Sequence, residues 1–492
     1  MKEKYILVVD QGTTSSRAIL FNHNEEIVYK SQQEIACSFP YDGWVEQNAL
    51  DIYLSVLNVI NDLLLKTNLT YDDIDSLGIT NQRETTIIWD KKTGMPVYNA
   101  IVWQSRQSAY ICDEWKIYEE LVHKKTGLII NPYFSASKIR FILDHIKDGQ
   151  KRAENGELLF GTVDTWLMYK LSKGNIFKTD YTNASRTMFF NINTLTYDDE
   201  LLKLFNIPKC MLPEVCPSSY FYGNATSLNE NLRIRAIAGD QQAALFGQNC
   251  FNEGDSKNTY GTGCFMLMNT GNKPVFSDNG LITTIACSYD ERISYALEGS
   301  VFIGGACVQW LRDQMRMIKT AAESENYAKR VKDSDGVYVV PAFVGLGAPY
   351  WDDDCRGAVF GLTRGTTKEH FINATLNSIA LQTKDVIEVM EKESNRKIEV
   401  LKVDGGATAN DYLMQYQSNI LNTKLMLPNC LETTALGVCY LAGLNSGYFS
   451  GIEEIKSIHK YKKEYLPLMS DKEREDIDKK WKVAIQATRM FK

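Results

Sequence analysis

Three apolar runs in this chain end in a glycine turn that carries hydroxyls or a carboxylate: VVDQGTTSSR at 8–17, NTYGTGCFML at 258–267 and VDGGATAN at 403–410. Glycine lets the backbone approach a bulky anion, and Thr and Ser hydroxyls with free N–H groups bind its oxygens. In the first turn Thr13, Thr14 and Ser15 could donate to terminal phosphates, and Arg17 could counter developing charge. Asp10 would hold Mg²⁺ through water, since that ion keeps most of its hydration shell. A polar hairpin is the plainer reading of the same residues. Asp10 and Asp404 both stand where strands should end, a usual place for a group that meets a metal or nucleotide. AGDQQAALFG at 238–247 puts Asp240 and Gln241 at a helix start, where Asp240 is either an N-cap or a general base. GITNQRE at 78–84 offers Arg83 and Glu84, which form either a surface ion pair or a clamp on a polyol. Trp103 and Tyr133 are core residues or the walls of a site. VDGGATAND and GGACVQWL (304–311) read as a nucleotide-facing turn and a second glycine approach, or simply as helix starts. A P-loop sequence and the protein-kinase Asp/Asn patterns are missing.

These residues need elements to hold them. At 492 residues the chain is too long for one core and suits two domains. The junction falls within 236–263, giving domains of 1–250 and 251–492. Apolar runs at 4–30 predict a strand meander, and 51–66 has helical spacing with Asn48 as its cap. Strand-like runs follow at 76–80 and 85–90. This order predicts an α/β fold with ribonuclease-H-like layers. Farther on, Thr366 with Glu369 reads as the capping box of a long helix bearing Ile372, Leu376, Ile379, Val386 and Met390 on one face. A surface helix around Trp481 should close the chain.

A net charge of -7 argues against nonspecific nucleic-acid binding. The 11 scattered cysteines and the start MKEKYILVV fit reduced thiols in a cytoplasmic protein. Five isolated histidines give no zinc spacing. No stretch has membrane-spanning length.

The ordered runs DQGTTSSRA, GITNQRETT, FGTVDTWL, TDYTNASRTM, AGDQQAALFGQ, NTYGTGCFMLMNTG, APYWD and VDGGA resemble the FGGY carbohydrate kinases, and among them the glycerol-phosphorylating members. The resemblance covers about residues 5 to 450. It implies two actin-like domains with ATP and Mg²⁺ in the cleft between them, and a homodimer. It further implies that Arg83, Glu84, Tyr133, Asp240 and Gln241 bind glycerol, with Trp103 and Phe265 walling its carbons. ATP contacts would come from Thr13, Thr14, Ser15, Arg17, Thr262, Gly305, Gln309, Gly406 and Asn410. Asp240, Arg17 and Asp10 would be the catalytic set, with Asp10 meeting the metal. Rival readings are another polyol or sugar kinase of the family, and an actin- or chaperone-like ATPase clamp. Phe141 stands where the family usually has Trp, a change of packing only. Segment 466–478 gives no firm basis for docking a bacterial phosphotransfer protein. Members inhibited by fructose 1,6-bisphosphate carry a glycine-rich loop where this chain has SLNENLRIR at 227–235. Backbone cannot come close to a phosphate there, so that sugar bisphosphate is expected to leave turnover unchanged; a dose-response assay showing inhibition would overturn this.

Overall fold

Each of the first two glycine turns closes a hairpin, and each hairpin starts a sheet. The computed structural model describes residues 3–290, 292–352 and 354–491. The first sheet contains β1 (Tyr5–Gln11), β2 (Ser15–Phe21), β3 (Ile27–Glu34), β4 (Ile74–Asn81), β5 (Ser219–Asn224) and β6 (Arg233–Gly239), ordered β5-β6-β4-β1-β2-β3. The second contains β7 (Ser256–Tyr260), β8 (Cys264–Gly271), β9 (Ile282–Ile285), β10 (Tyr295–Val301), β11 (Val400–Asp404), β12 (Lys424–Pro428) and β13 (Tyr461–Tyr465), ordered β9-β10-β8-β7-β11-β12-β13. In the first, the antiparallel β3-β2-β1 meander is extended by parallel β4 and β6. The same five-strand pattern returns as β10-β8-β7-β11-β12. The two halves are therefore topological repeats of an α/β, ribonuclease-H-like layer.

Strand β1 is apolar on both faces because helices cover both. Leu7 and Val9 point into one cluster with α1 (Ala49–Thr67), while Ile6 and Val8 point into another. The Asn48 side chain caps α1 by accepting from Leu50 N at 2.9 Å, as its sequence predicts. Among the later helices, those that bear on the site and its cover are α2 (Asp240–Gly247), α3 (Ala306–Asp313), α4 (Lys368–Ser394), α5 (Asp411–Leu421), α6 (Thr433–Ser446) and α7 (Asp471–Met490). The predicted apolar face of α4 is buried throughout. Its cap lies one residue later than the sequence pattern suggests. Thr367 is the N-cap and His370 supplies the return contact, accepting from Thr367 N at 3.1 Å. Thr366 instead closes the preceding turn, where its hydroxyl accepts from Thr363 N at 2.9 Å. Two adjacent threonines make the box pattern ambiguous by one position, and the turn decides it. Helix α7 lies at the surface but buries Trp481 completely, with its Nε1 donating to Asp385 Oδ2 at 2.8 Å.

Helix α6 belongs to the second half of the chain, yet it covers the first sheet. Its Leu436 and Val438 share a cluster with Ile6 and Val8. The approach is backbone to backbone. A Cβ on Gly437 would lie 1.9 Å from Ala243 O on α2, and one on Gly247 would lie 2.0 Å from Thr433 O. Neither neighbour is a flexible side chain, so the helices would have to separate. Gly437→Ala is expected to lower stability by about 1–3 kcal/mol, read as a drop in Tm; an unchanged Tm would show that the crossing has slack.

Candidate active site

The site is assembled where strand ends from both sheets meet. After Asp10 the chain turns through Gly12 to Ser15, with Gly12 N donating to Ser15 O at 2.9 Å. Arg17 lies opposite Asp10 in the β1–β2 register and approaches it at 3.4 Å. Arg17 also reaches Glu432, just before α6, at 3.2 Å. Burial raises the Asp10 carboxyl to about 6 against the opposing pull of Arg17, and the charges of Glu432 and Asp240 push the same way. Thr13 Oγ1 accepts from Trp103 Nε1 at 2.8 Å, which leaves the hydroxyl proton available to an anion.

In the second half, Gly305 N donates to Gly261 O at 2.9 Å, and Gly304 N donates to Thr262 O at 2.8 Å. A Cβ on Gly305 would lie 2.7 Å from Gly261 O, so glycine is required for the two turns to touch. Gln309 follows on α3 and is exposed. The third turn separates two needs. Gly405 has φ +92° and no room for a Cβ against Tyr260, whereas Gly406 faces open space. Asn410 is the side-chain cap of α5, accepting from Leu413 N at 3.0 Å, and its Nδ2 donates to Ser324 Oγ at 3.2 Å. Asp404 is buried, and its Oδ2 accepts from Gln248 and Thr433 at 2.7 Å each. That carboxylate ties the halves together, which differs from its expected exposure to metal or nucleotide.

Arg83 and Glu84 are not a surface pair; their exposures are 2% and 1%. They follow β4, and Glu84 takes a left-handed φ of +60°. Its carbonyl collects Thr86 Oγ1, Ser135 Oγ and the buried Lys138 Nζ, which hold that conformation. Burial lowers Lys138 to about 7. Asp240 opens α2 after Gly239 and does not cap it. Its carboxylate pairs with Arg83 Nε at 3.2 Å while a third of the side chain stays open. Burial raises the Asp240 carboxyl above its usual range despite Arg83 and Lys257. Trp103 is half-buried, with Tyr133 edge-on at 5.5 Å and Phe265 of β8 edge-on at 6.4 Å. One aromatic wall is thus built from both halves.

Sequence reasoning missed the charges behind this wall. Glu298, on β10, is completely buried and grips Arg83 with both oxygens, at 2.6 and 3.0 Å. Arg186 shares Glu298 Oε1 at 2.9 Å and holds Glu84 Oε1 at 2.5 Å. Arg186 lies in the TDYTNASRTM run, but Glu298 sits in an apolar strand with no spacing to flag it. Lys257 of β7, also fully buried, meets Gln241.

A duplicated sheet of this topology, with glycine turns of both halves beside a carboxylate, defines the fold of the actin-like ATPase superfamily. The chain belongs to the FGGY family of carbohydrate kinases: residues 5–247 match the family's N-terminal domain and residues 256–446 its C-terminal domain. It is 57% identical over 495 residues to the glycerol kinase of Bacillus licheniformis, and equally to that of Bacillus cereus, with 100% of each chain covered. Among solved structures it resembles Plasmodium falciparum glycerol kinase with ADP, at TM-score 0.93 and 35% identity over 99% of this chain and 98% of that one. A ligand-bound xylulose kinase from Lactobacillus acidophilus shares the fold, at TM-score 0.87 and 22% identity over 98% of this chain and 97% of that one.

Burial alone would raise the Glu298 carboxyl, but Arg186 and Arg83 outweigh it and hold it at about 2, below its usual 4.5. A depressed carboxylate contributes stability above its unfolded pKa and loses it as pH falls through the folded one. Glu298→Gln is therefore expected to cost on the order of 3–5 kcal/mol at neutral pH. Between pH 4.5 and about 2 the variant should lose stability less steeply than the wild type. Denaturant melts across that range check both; parallel slopes would exclude the linkage.

Proposed function

We infer that this chain transfers the γ-phosphoryl group of ATP to glycerol, giving sn-glycerol 3-phosphate and ADP. Full-length identity to two curated glycerol kinases supports the reaction. The observation that carries it in the site is the grouping of Arg83, Glu84, Asp240 and Gln241 beside a shallow aromatic wall. Such a site suits a short polyol, and one built on hydrogen bonds rejects analogues lacking the hydroxyls.

In the proposed mechanism Arg83, Glu84, Tyr133 and Gln241 hold the hydroxyls while Trp103 and Phe265 cover the carbons. Asp240 accepts the proton of a terminal hydroxyl, whose oxygen bonds to the γ-phosphorus as the bond to the β–γ bridging oxygen breaks. Its raised pKa suits a base working near neutrality. Thr13, Thr14, Ser15 and Arg17 would meet the phosphates on one side, and Thr262, Gly305, Gln309, Gly406 and Asn410 the nucleotide on the other. Gly406 presents open space to a ligand, and Asn410, whose backbone is engaged by Ala407 and Met414, keeps one Nδ2 hydrogen after donating to Ser324.

Asp10 fits Mg²⁺. Its buried carboxylate is pushed up to about 6, so a cation beside it would relieve that strain. Magnesium gives up its waters reluctantly, so a single carboxylate beside bound phosphates would be enough to hold it. When bound, Mg²⁺ would neutralise charge on the phosphate oxygens.

Domains of 1–250 and 251–492, a homodimer and a cytoplasmic setting complete the reading. Eleven free cysteines, eight of them buried, support a reducing compartment. No described helix is long and apolar enough to cross a membrane.

General-base help is worth about 10²–10⁴ in rate. Asp240→Asn is expected to lower glycerol-dependent ADP release by at least about a hundredfold while ATP still binds. Near wild-type turnover would remove Asp240 from the base role. Turnover by wild-type protein with another polyol or sugar and not with glycerol would redirect the substrate assignment.

A further inference from the structure

Lys257 is fully buried on β7 and belongs to none of the roles above. Its Nζ donates to Gln241 Oε1 at 2.6 Å, Thr259 Oγ1 at 2.9 Å and the Phe265 carbonyl at 3.1 Å. Three acceptors meet three protons, so the ammonium is saturated. An ammonium has no acceptor, and the Gln241 atom beside it must therefore be the carbonyl oxygen. The amide nitrogen of Gln241 is consequently turned the other way.

We propose that Lys257 is a positioning residue of the glycerol site: it holds Gln241 by the carbonyl so that only the NH₂ group faces the substrate, and it anchors the Phe265 wall through the main chain. The inference rests on the reading of Gln241 and Phe265 as glycerol contacts. Asp240 and Gln241 then present an acceptor and a donor on adjacent residues. An alcohol, which donates and accepts at one oxygen, matches that pair, whereas a freely rotating amide would offer its carbonyl as often. The contact also joins the halves, since Gln241 lies in the first turn of α2 beside the first sheet and Lys257 comes from the second. Charge supports the geometry. Lys257 is faced by Asp404, Glu298 and Asp240 and opposed by Arg83. Burial holds it down at about 8. Asp240 in turn is lowered by Arg83 and Lys257 and raised by burial and Glu298, and it also acts on Asp10.

The test is steady-state kinetics on full-length protein over glycerol at saturating Mg·ATP. Wild-type protein must first release ADP in a glycerol-dependent way; if it does not, the functional reading falls and the inference with it. Given that activity, Lys257→Met should raise the KM for glycerol at least about tenfold with a smaller loss of kcat. The KM for ATP should stay unchanged, and the acidic limb of the kcat/KM profile should move to higher pH. Lys257→Arg should recover part of the KM. Gln241→Glu provides the second arm, because its carboxylate can pair with Lys257 and preserve folding. It keeps an acceptor and loses the donor, so its KM for glycerol should also rise at least about tenfold. Unchanged KM in Gln241→Glu would mean that the carbonyl faces glycerol and would overturn the proposal. A Lys257→Met protein with lowered Tm but wild-type KM and pH profile would make Lys257 merely structural and overturn it too.

Discussion

Two guanidinium groups share one carboxylate in the absence of bulk water, and the site depends on that arrangement. Glu298 takes both Arg83 and Arg186, and Arg186 passes the constraint on to Glu84. Buried ions are costly to desolvate, and the cost is offset only when the geometry saturates them. Charge-assisted, bidentate bonds do that here and also fix orientation. Because Glu298 stands on the second sheet and Arg83 follows a strand of the first, the same bonds that satisfy the ions set the two halves against each other. The orientation of Arg83 is therefore defined from behind, by Glu298.

Around this charged floor the main chain comes unusually close to itself. Gly261 with Gly305, Gly405 with Tyr260, and Gly437 with Ala243 all leave no room for a Cβ. The first two bring glycine turns of the second half into register, and the third seats a helix against another across the halves. Side-chain packing could not achieve the same spacing, because any interposed carbon would push the turns apart. Glycine is thus used for proximity as well as for turn conformation.

Much of this was legible in the sequence. Strand–turn–strand runs gave β1, β2, β7 and β8, because apolar alternation broken by glycine has few other solutions. Residues with a distinctive type at a strand end, such as Asp10, Arg83, Glu84 and Asp240, could be picked out by position. Glu298 and Lys257 could not, since a single charge within an apolar strand carries no period and its partners lie far away in sequence. Asp404 misled for the opposite reason: it ends a strand as expected, but Gln248 and Thr433 use its carboxylate. The cap of α4 slipped by one residue because Thr366 and Thr367 satisfy the same pattern, and only the preceding turn distinguishes them. The topological repeat was similarly faint, because it resides in strand order and not in residue identity.

Helix α6 has a consequence for the order in which the protein can be made. The face of β1 bearing Ile6 and Val8 is covered by residues that leave the ribosome more than four hundred positions later. Until then that face has Ala243 and Phe246 of α2 as its cover from the first half, while α1 and the helix carrying Trp166 and Leu167 close the other. A first lobe folded before the second is made would therefore lack the larger part of this cover. Its packing is complete only when residues 435–442, 449 and 455 have joined it, so the end of the chain finishes the core that the beginning starts.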